Sequence, residues 1–346
     1  MNSATTEKII IGGLRFSAEQ VQVTLPSSSD DCRAFAGVLD ELAQEKINLP
    51  FCCLHTVKTG IGTICMSRAD LERFTTIAGA LTPPGILMEV LPSAGSVTLF
   101  PHQSRLKMLG ALLEIFAVNK LPLHSVCSSL SALVVNTDYR LLDRAARDLQ
   151  TVFQLPENHA PFRLKTRCEK TAHETVDDCY SSVMDTAAVY WEPLIKIYGS
   201  SIKKELLLTT AHVPESGLVQ LGQQLQAAGG GRGTFEMALM QRLDRNSYKF
   251  GLLYENSRAE TYRTLFSMGN STLIEHRNAE LLYFHGPHFH DRYGVVSAAL
   301  NVLRNTAHEL LAVGCCGTSI YLITPEKNAQ QSAEALEKIF IVPKLS

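Results

Sequence analysis

The sequence lacks the features that would place it in a membrane, on nucleic acid or in a secretory pathway. It contains no run of about 18 apolar residues, so no transmembrane helix is predicted. The formal net charge is −2 and lysine and arginine do not cluster, which disfavours nucleic acid as a partner. The polar start from Met1 to Lys8 has no apolar core of a signal peptide, so we expect a cytoplasmic protein.

Motifs typical of catalysis or of bound cofactors are also missing. The sequence contains no G-x-S-x-G, no H-E-x-x-H and no paired-carboxylate signature. The glycine-rich segment Gly229 to Gly233 lacks the Lys-Ser/Thr of a phosphate-binding loop, so it is predicted to be a flexible turn. We therefore predict a protein that is not an enzyme, with no catalytic residue and no cofactor.

Cysteine is present but does not form a disulfide or metal pattern. The chain has nine cysteines, an odd number, and many lie in apolar segments: Cys52, Cys53, Cys65, Cys127, Cys315 and Cys316. Neighbouring residues on a strand point to opposite faces, so neither adjacent pair can hold one metal ion. This pattern predicts reduced thiols in the core of a cytoplasmic protein.

What the sequence does contain is an internal repeat. The segment from Leu109 to Pro156 aligns without a gap on the segment from Val296 to Pro343. Apolar residues at helical spacing coincide in the two copies, and the same offset places Gly12 on Gly199. A repeat of this length favours a duplicated fold, and the absence of a catalytic signature favours binding and assembly over chemistry.

Each copy alternates between strand and helix patterns. In the first copy, a helix is predicted from about Asp31 to Glu45, and a second helix follows the capping residue Ser67. Two helices over four antiparallel strands form a ferredoxin-like βαββαβ unit. The prediction is an α+β fold of four such units arranged as two tandem pairs. The first pair covers 1–160 (units 1–90 and 91–160), a linker covers 161–188, and the second pair covers 189–346 (units 189–278 and 279–346).

Several segments resemble a known family. Segment 110–135, GALLEIFAVNKLPLHSVCSSLSALVV, and segment 291–323, DRYGVVSAALNVLRNTAHELLAVGCCGTSIYLI, resemble the last ACT domain of aspartate kinases. Segment 37–54, GVLDELAQEKINLPFCCL, resembles the first ACT domain of the same regulatory pair. The resemblance covers most of each copy and implies ACT-type units without the kinase domain.

The resemblance also implies a ligand and a site. In that family a small amino acid binds at the interface between paired ACT domains. Its carboxylate and amine meet the backbone of the loop between the first strand and first helix, where glycine allows close approach. Gly294 and Gly217 hold this position in the second copy, whereas Lys107 replaces it in the first. The implied ligand-binding residues are Glu215, Ser216, Gly217, Gln241, His288, His290, Asp291, Arg292 and Gly294.

A histidine-rich loop leaves alternatives open. His285, His288 and His290 with Asp291 form H-x₂-H-x-H-D, a spacing that can bind zinc or nickel when the geometry matches. The same loop could contact an amino-acid ligand, or could simply be solvated. We assign no metal to it.

The sequence thus predicts a non-catalytic regulatory or sensor protein that binds an amino acid, with allosteric regulation as its role. Self-association or a protein partner through the ACT sheets is expected, without nucleic acid or membrane. The alternative is an interaction scaffold whose ligand pockets are vestigial, and the third is a metal-dependent enzyme. The two copies are expected to pack against each other with approximate two-fold symmetry.

Overall fold

The structure is a computed structural model that describes residues 8–28, 32–81, 88–129, 131–157, 194–266, 273–287, 289, 291–304 and 309–342. The predicted linker 161–188 lies outside these residues, as do His288 and His290. Within the described residues, no helix has the length and apolar character needed to cross a membrane.

The first half of the chain alternates strands and helices as predicted. Its strands are β1 (Ile9–Ile10), β2 (Gly13–Phe16), β3 (Gln20–Ser28), β4 (Phe51–His55), β5 (Thr59–Ser67), β6 (Glu89–Phe100), β7 (Ser125–Ser128), β8 (Leu133–Asp138) and β9 (Phe153–Gln154). Its helices are α1 (Cys32–Gln44), α2 (Leu71–Leu81), α3 (Leu106–Val118) and α4 (Leu142–Val152).

The second half has the same order of elements, except that one long strand, β11, stands where the first half has β2 and β3. Its strands are β10 (Ile195–Lys196), β11 (Gly199–Pro214), β12 (Met237–Asp244), β13 (Ser247–Glu255), β14 (Leu273–His285), β15 (Ala312–Cys316), β16 (Ser319–Thr324) and β17 (Phe340–Ile341). Its helices are α5 (Leu218–Ala227), α6 (Ala259–Tyr262), α7 (Val295–Arg304) and α8 (Ala329–Leu336).

Equivalent elements of the two halves begin at nearly constant separations. The starts of strands β7 and β15 are as far apart in sequence as the starts of helices α4 and α8, and β5 and β13 are separated by one residue more. The residues Ser67-Arg68-Ala69 recur in the sequence as Ser257-Arg258-Ala259, but this similarity is two residues out of register with the structural repeat. Ser67 and Glu255 are the residues that precede equivalent 3₁₀ turns.

Local sequence explains where several elements begin. The Ser67 hydroxyl accepts a hydrogen bond from the Ala69 N–H at 3.3 Å, as the capping pattern predicts, although it caps a 3₁₀ turn that precedes α2. The sequence pattern predicts two strands, at 86–91 and 96–100, but Glu89–Phe100 is one strand. The pairing of β6 with β3 shifts register opposite Pro92, because proline cannot donate to a regular ladder.

The described strands form a large antiparallel sheet, which confirms the α+β prediction. Its order is β2-β6-β3-β5-β4-β15-β16-β14-β11-β13-β12-β7-β8, and β6 also pairs with β8. This additional pairing closes the sheet on itself. Two small parallel pairs, β1–β9 and β10–β17, lie beside it.

The two halves are joined directly within this sheet. Strand β4 of the first half pairs with β15 of the second, and β7 pairs with β12. On the helical side, α1 contacts α7 and α3 contacts α5. The offset of the sequence repeat relates one junction to the other, as expected for an approximately two-fold arrangement. Two separate bodies on a linker would not share strand pairs in this way.

The apolar residues form cores on both faces of the closed sheet. Adjacent cysteines show how the faces alternate: Cys52 and Cys315 belong to a core beneath α1 and α7, whereas Cys53 and Cys316 belong to the core inside the sheet. All six cysteines of the apolar segments are buried and unbridged. Their burial agrees with the prediction that these cysteines belong to the core.

Two glycines allow α3 and α5 to approach closely. A Cβ added at Gly110 would lie 2.4 Å from the Gly222 carbonyl oxygen, and one added at Gly222 would lie 2.8 Å from the Gly110 carbonyl oxygen. Both distances are far below van der Waals contact, so only glycine fits at this crossing. The close packing holds the end of α3 next to the beginning of α5.

Candidate ligand-binding site

A cavity of about 890 Å³ lies at the junction of the two halves. The first half contributes the end of α3, the loop to β7 and the end of β8. The second half contributes the start of α5 and the β12–β13 hairpin. Such a volume lies within the range of small-molecule pockets.

Apolar side chains from both halves form part of the cavity wall. Phe116 and Leu121 come from the first half, and Leu218 comes from the second. All three side chains belong to buried residues. Charged side chains of both signs complete the lining: Glu89, Lys120, Asp138, Glu215, Arg242, Asp244 and Arg245.

Arg242, on β12, is held in the cavity by several fixed partners. Its Nε donates to the Leu123 carbonyl oxygen at 3.1 Å, and its Nη1 donates to the Arg245 carbonyl oxygen at 2.9 Å. The guanidinium carbon lies 4.7 Å from the centre of the Tyr248 ring. These contacts fix the plane of the guanidinium group. The side chain is 17% exposed and lines the cavity.

Tyr248 supports Arg242 from the neighbouring strand. The two residues are directly opposite in the β12–β13 ladder, and Arg242 Nη2 donates to the Tyr248 hydroxyl oxygen. Burial raises the pKa of the Tyr248 phenol above its ordinary value. The phenol is therefore neutral at physiological pH, and its ring presents an electron-rich face to the cation.

A second polar pair, His124 and Asp138, belongs to the first half. His124 Nε2 lies 2.9 Å from Asp138 Oδ1, and the two side chains are 16% and 19% exposed, respectively. The hydrogen bond from His124 holds the pKa of Asp138 below its ordinary value, although burial acts in the opposite direction. Asp138 is thus a carboxylate at neutral pH and can accept a hydrogen bond from a cation.

Two residues predicted from the sequence, Glu215 and Ser216, line this cavity. They belong to a 3₁₀ turn, Glu215–Gly217, between the end of β11 and the start of α5. Gly217 is the residue before α5 and is buried beside them. The Glu215 N–H donates to the Asn246 carbonyl oxygen at 2.7 Å, and the Leu218 N–H donates to the Glu215 carbonyl oxygen, so backbone hydrogen bonds hold this turn in place.

Gln241 lies elsewhere. It precedes Arg242 on β12, so its side chain points to the opposite face of the sheet. The Gln241 amide nitrogen donates to the Ile61 carbonyl oxygen at 3.1 Å and to the Thr63 hydroxyl at 3.0 Å. The structure therefore places Gln241 in the interior, against the β4–β5 hairpin of the first half.

Lys249, opposite Gln241 on β13, faces the same interior and is 5% exposed. Its ammonium group donates to three backbone carbonyl oxygens: those of His55 (3.1 Å), Val57 (2.7 Å) and Thr59 (2.5 Å). Burial lowers the pKa of Lys249 to about 7. The hairpin β12–β13 thus carries the pair Arg242–Tyr248 on its cavity face and the pair Gln241–Lys249 on its interior face.

The remaining predicted residues that the structure describes lie at a different place, just before the start of α7. Arg292 and Gly294 line a small space of about 10 Å³ against α1, and Asp291 is nearby in sequence. This volume holds about one water molecule. Gly294 has a φ of +78°, and a Cβ there would lie 3.2 Å from the Ala43 Cβ. The conformation explains the glycine, since other residues are strained at such angles.

The histidine loop is partly outside the described residues, where His288 and His290 lie. The described His285 has its Nδ1 3.0 Å from the Thr318 carbonyl oxygen and its ring next to Tyr198. Among the residues that the structure describes, no three His, Cys, Asp or Glu side chains are grouped as metal ligands.

Sequence reasoning missed Arg242, Tyr248, His124 and Asp138. A usable signal was present for Arg242, because it follows Gln241 on a predicted strand and must face the opposite side. His124 and Asp138 come together only through the pairing of β7 with β8. The sequence pattern does not show that contact.

The closed sheet and its helices match a protein of known structure. This chain is similar in fold to an aspartate kinase. The crystal structure of aspartate kinase from Synechocystis matches with a TM-score of 0.76 at 12% sequence identity, covering 97% of this chain and 57% of that chain. The regulatory subunit of aspartate kinase from Thermus thermophilus matches 42% of this chain and 99% of that chain, at 13% identity and a TM-score of 0.38.

At 12% identity, the likeness to the Synechocystis structure establishes the fold. This chain spans 57% of the length of that aspartate kinase. No protein-family model matches the sequence. No curated protein matches it either.

Proposed function

We propose that this protein is a non-catalytic regulatory module that binds an amino acid through ACT-type units. The observation that carries the proposal is the cavity at the junction of the halves, whose lining includes Arg242, Asp138 and apolar side chains. An amino acid has a carboxylate, an ammonium group and a side chain. These three parts match the cation, the carboxylate and the apolar wall of the cavity.

We further propose that the chain consists of four such units in two tandem pairs, as the sequence predicted. The sheet order supports this interpretation. In the first unit, strands β3, β4, β5 and the start of β6 are arranged β4-β5-β3-β6, and in the third, β12-β13-β11-β14 has the same order. The near-constant separation between equivalent elements of the halves supports a duplication.

The proposed unit boundaries need one refinement. Strand β2 pairs with the end of β6, next to which β8 also pairs. The second unit therefore takes its outer strand from the region before the first unit. Boundaries at 90 and 278 fall at the start of β6 and within β14, the long strands that join consecutive units.

The scaffold alternative is supported by one observation at the other junction. The space beside Gly294 is only about 10 Å³, too small for an amino acid. We propose that this junction is structural and that the ligand binds beside Arg242. The proposed role is intracellular regulation, with a protein partner or a second copy as the responding element.

A thermal-shift screen with the twenty amino acids tests the proposal. A ligand at 100 times its Kd stabilises the native state by about 2.7 kcal/mol, which raises the melting temperature by a few degrees. Arg242→Gln is expected to weaken the binding of the positive amino acid at least tenfold by calorimetry. Arg263→Gln is the matched control, because the Arg263–Glu260 ion pair is exposed and outside the cavity.

The outcomes separate the candidate functions. A stabilising amino acid whose affinity depends on Arg242 supports the regulatory module. If no amino acid shifts the melting temperature, the cavity does not serve amino-acid sensing and the scaffold alternative replaces the proposal. If an amino acid binds equally well to Arg242→Gln, the ligand occupies another site.

A further inference from the structure

Two of the three nitrogens of the Arg242 guanidinium group are already occupied. Nε and Nη1 donate to backbone carbonyl oxygens, which cannot move without the chain. The remaining nitrogen, Nη2, donates to the Tyr248 hydroxyl and lies 3.3 Å from Glu215 Oε1. Two of these acceptors are backbone atoms and one is a buried phenol. Glu215 is thus the one mobile partner among these contacts.

The Glu215 contact is weak enough to exchange. Its side chain is 50% exposed, whereas that of Arg242 is 17% exposed. Exposed ion pairs contribute little, because solvent screens the attraction and ordering a long side chain opposes it. Glu215 can therefore leave Arg242 at small cost while the guanidinium group keeps its position.

We propose that Glu215 is an internal competitor that occupies the carboxylate position of the cavity, and that ligands carrying a carboxylate bind by replacing Glu215 on Arg242. This inference deepens the proposed function, on which it rests, by naming the chemical group that is recognised. The class of ligand is a small carboxylate, and the discriminating residue is Arg242. An amide or a decarboxylated amine cannot form the same charge-assisted hydrogen bonds.

The proposal gives Glu215 a role opposite to that of a ligand-binding residue. If Glu215 bound the ligand's ammonium group, removing its charge would weaken binding. If it competes with the ligand's carboxylate, removing its charge strengthens binding. Glu215→Gln keeps the size and the hydrogen-bond acceptor of the side chain but removes the charge, so it separates the two cases.

The test uses acetate as the probe and acetamide as its neutral counterpart. The ¹⁵N signal of Arg242 Nε, assigned with the variant Arg242→Lys, is followed during each titration. Acetate is expected to shift this signal, and acetamide is not. In Glu215→Gln the apparent Kd for acetate is expected to fall by a factor of about two to five, which corresponds to the roughly 0.4–1 kcal/mol of an exposed ion pair. Glu260→Gln, outside the cavity, is expected to leave it unchanged.

The same titrations can overturn the proposal. Failure of acetate to move the Arg242 signal in both proteins would show that Arg242 does not accept external carboxylates. Weaker acetate binding in Glu215→Gln would make Glu215 a binding residue and not a competitor. The proposed function is judged separately by the amino-acid screen. If an amino acid binds but acetate has no effect, the proposed function stands, and the proposal that Glu215 competes with a ligand carboxylate is rejected.

Discussion

The most direct test of the interior contact between the halves is Lys249→Met. Methionine is similar in length and fits an apolar interior, but it cannot donate to the three carbonyl oxygens that the Lys249 ammonium group binds. We expect the difference in unfolding free energy between the parent and the variant to depend on pH. The reason is that the charge of Lys249 differs between the folded and unfolded states over a defined range of pH.

The sign follows from the direction of the pKa change. Burial lowers the pKa of Lys249 from 10.5 to about 7 in the folded protein. Between these values, the unfolded chain binds a proton at Lys249 that the folded chain does not hold. The stability of the parent relative to the variant therefore rises with pH from about 7 to about 10.5, and is lowest below pH 7. The slope is at most about 1.4 kcal/mol per pH unit, and the total is on the order of 5 kcal/mol.

The three carbonyl oxygens act against this effect, since they stabilise the charged form of the amine. Chemical denaturation at pH 7, 8, 9 and 10 measures which influence is larger. Lys338→Met is the control, because Lys338 is exposed. Cysteines and tyrosines titrate in all three proteins, so the comparison isolates Lys249. If the parent and Lys249→Met differ by the same free energy at every pH, the carbonyl oxygens offset burial and our reasoning is wrong.

Two further predictions concern the junctions. Gly110→Ala places a methyl group 2.4 Å from the Gly222 carbonyl oxygen, so we expect a loss of roughly 2 kcal/mol or more in denaturant unfolding. Gly79→Ala on helix α2 is the control, because a Cβ at this position would meet no atom within 4 Å. Its unfolding free energy is expected to rise by about 0.5–1 kcal/mol. Equal changes in the two variants would contradict the explanation by close contact. The two halves can be coexpressed as fragments 1–157 and 194–346, with a tag on one of them. We expect them to copurify, because they pair through β4–β15 and β7–β12. Two independently folded monomers would contradict that pairing.

Much of the local structure could be predicted, because it follows from short-range patterns. Helix α1 lies within the predicted helix, and its apolar residues Phe35, Val38 and Leu39, at helical spacing, are buried. The alternating faces of the adjacent cysteines follow from strand geometry. The single long strand β6 was missed, since Pro92 predicts a break where the sheet instead shifts register. Closure of the sheet was also beyond prediction, because β4–β15 and β7–β12 join residues far apart in sequence.

The site was predictable only in part for the same reason. Glu215 and Ser216 follow a recognisable strand-to-helix turn, and the structure places them at the cavity. The family resemblance implies Gln241 as a ligand-binding residue, but strand alternation places its side chain inside the sheet, and Arg242 lines the cavity instead. The charged pair of the first half, His124 and Asp138, depends on β7–β8 pairing.

Joining the two halves in one chain has a consequence for how the interior contact can evolve. In a dimer of identical chains, any substitution would occur at both symmetric positions at once. Here the pair Gln241–Lys249 has the pair Leu54–Gly62 at the corresponding positions of the first copy. One hairpin therefore extends polar side chains into its counterpart, which receives them largely through backbone carbonyl groups. In a single chain, the two corresponding hairpins can therefore have different roles. One hairpin can change around a ligand while the other stays the same.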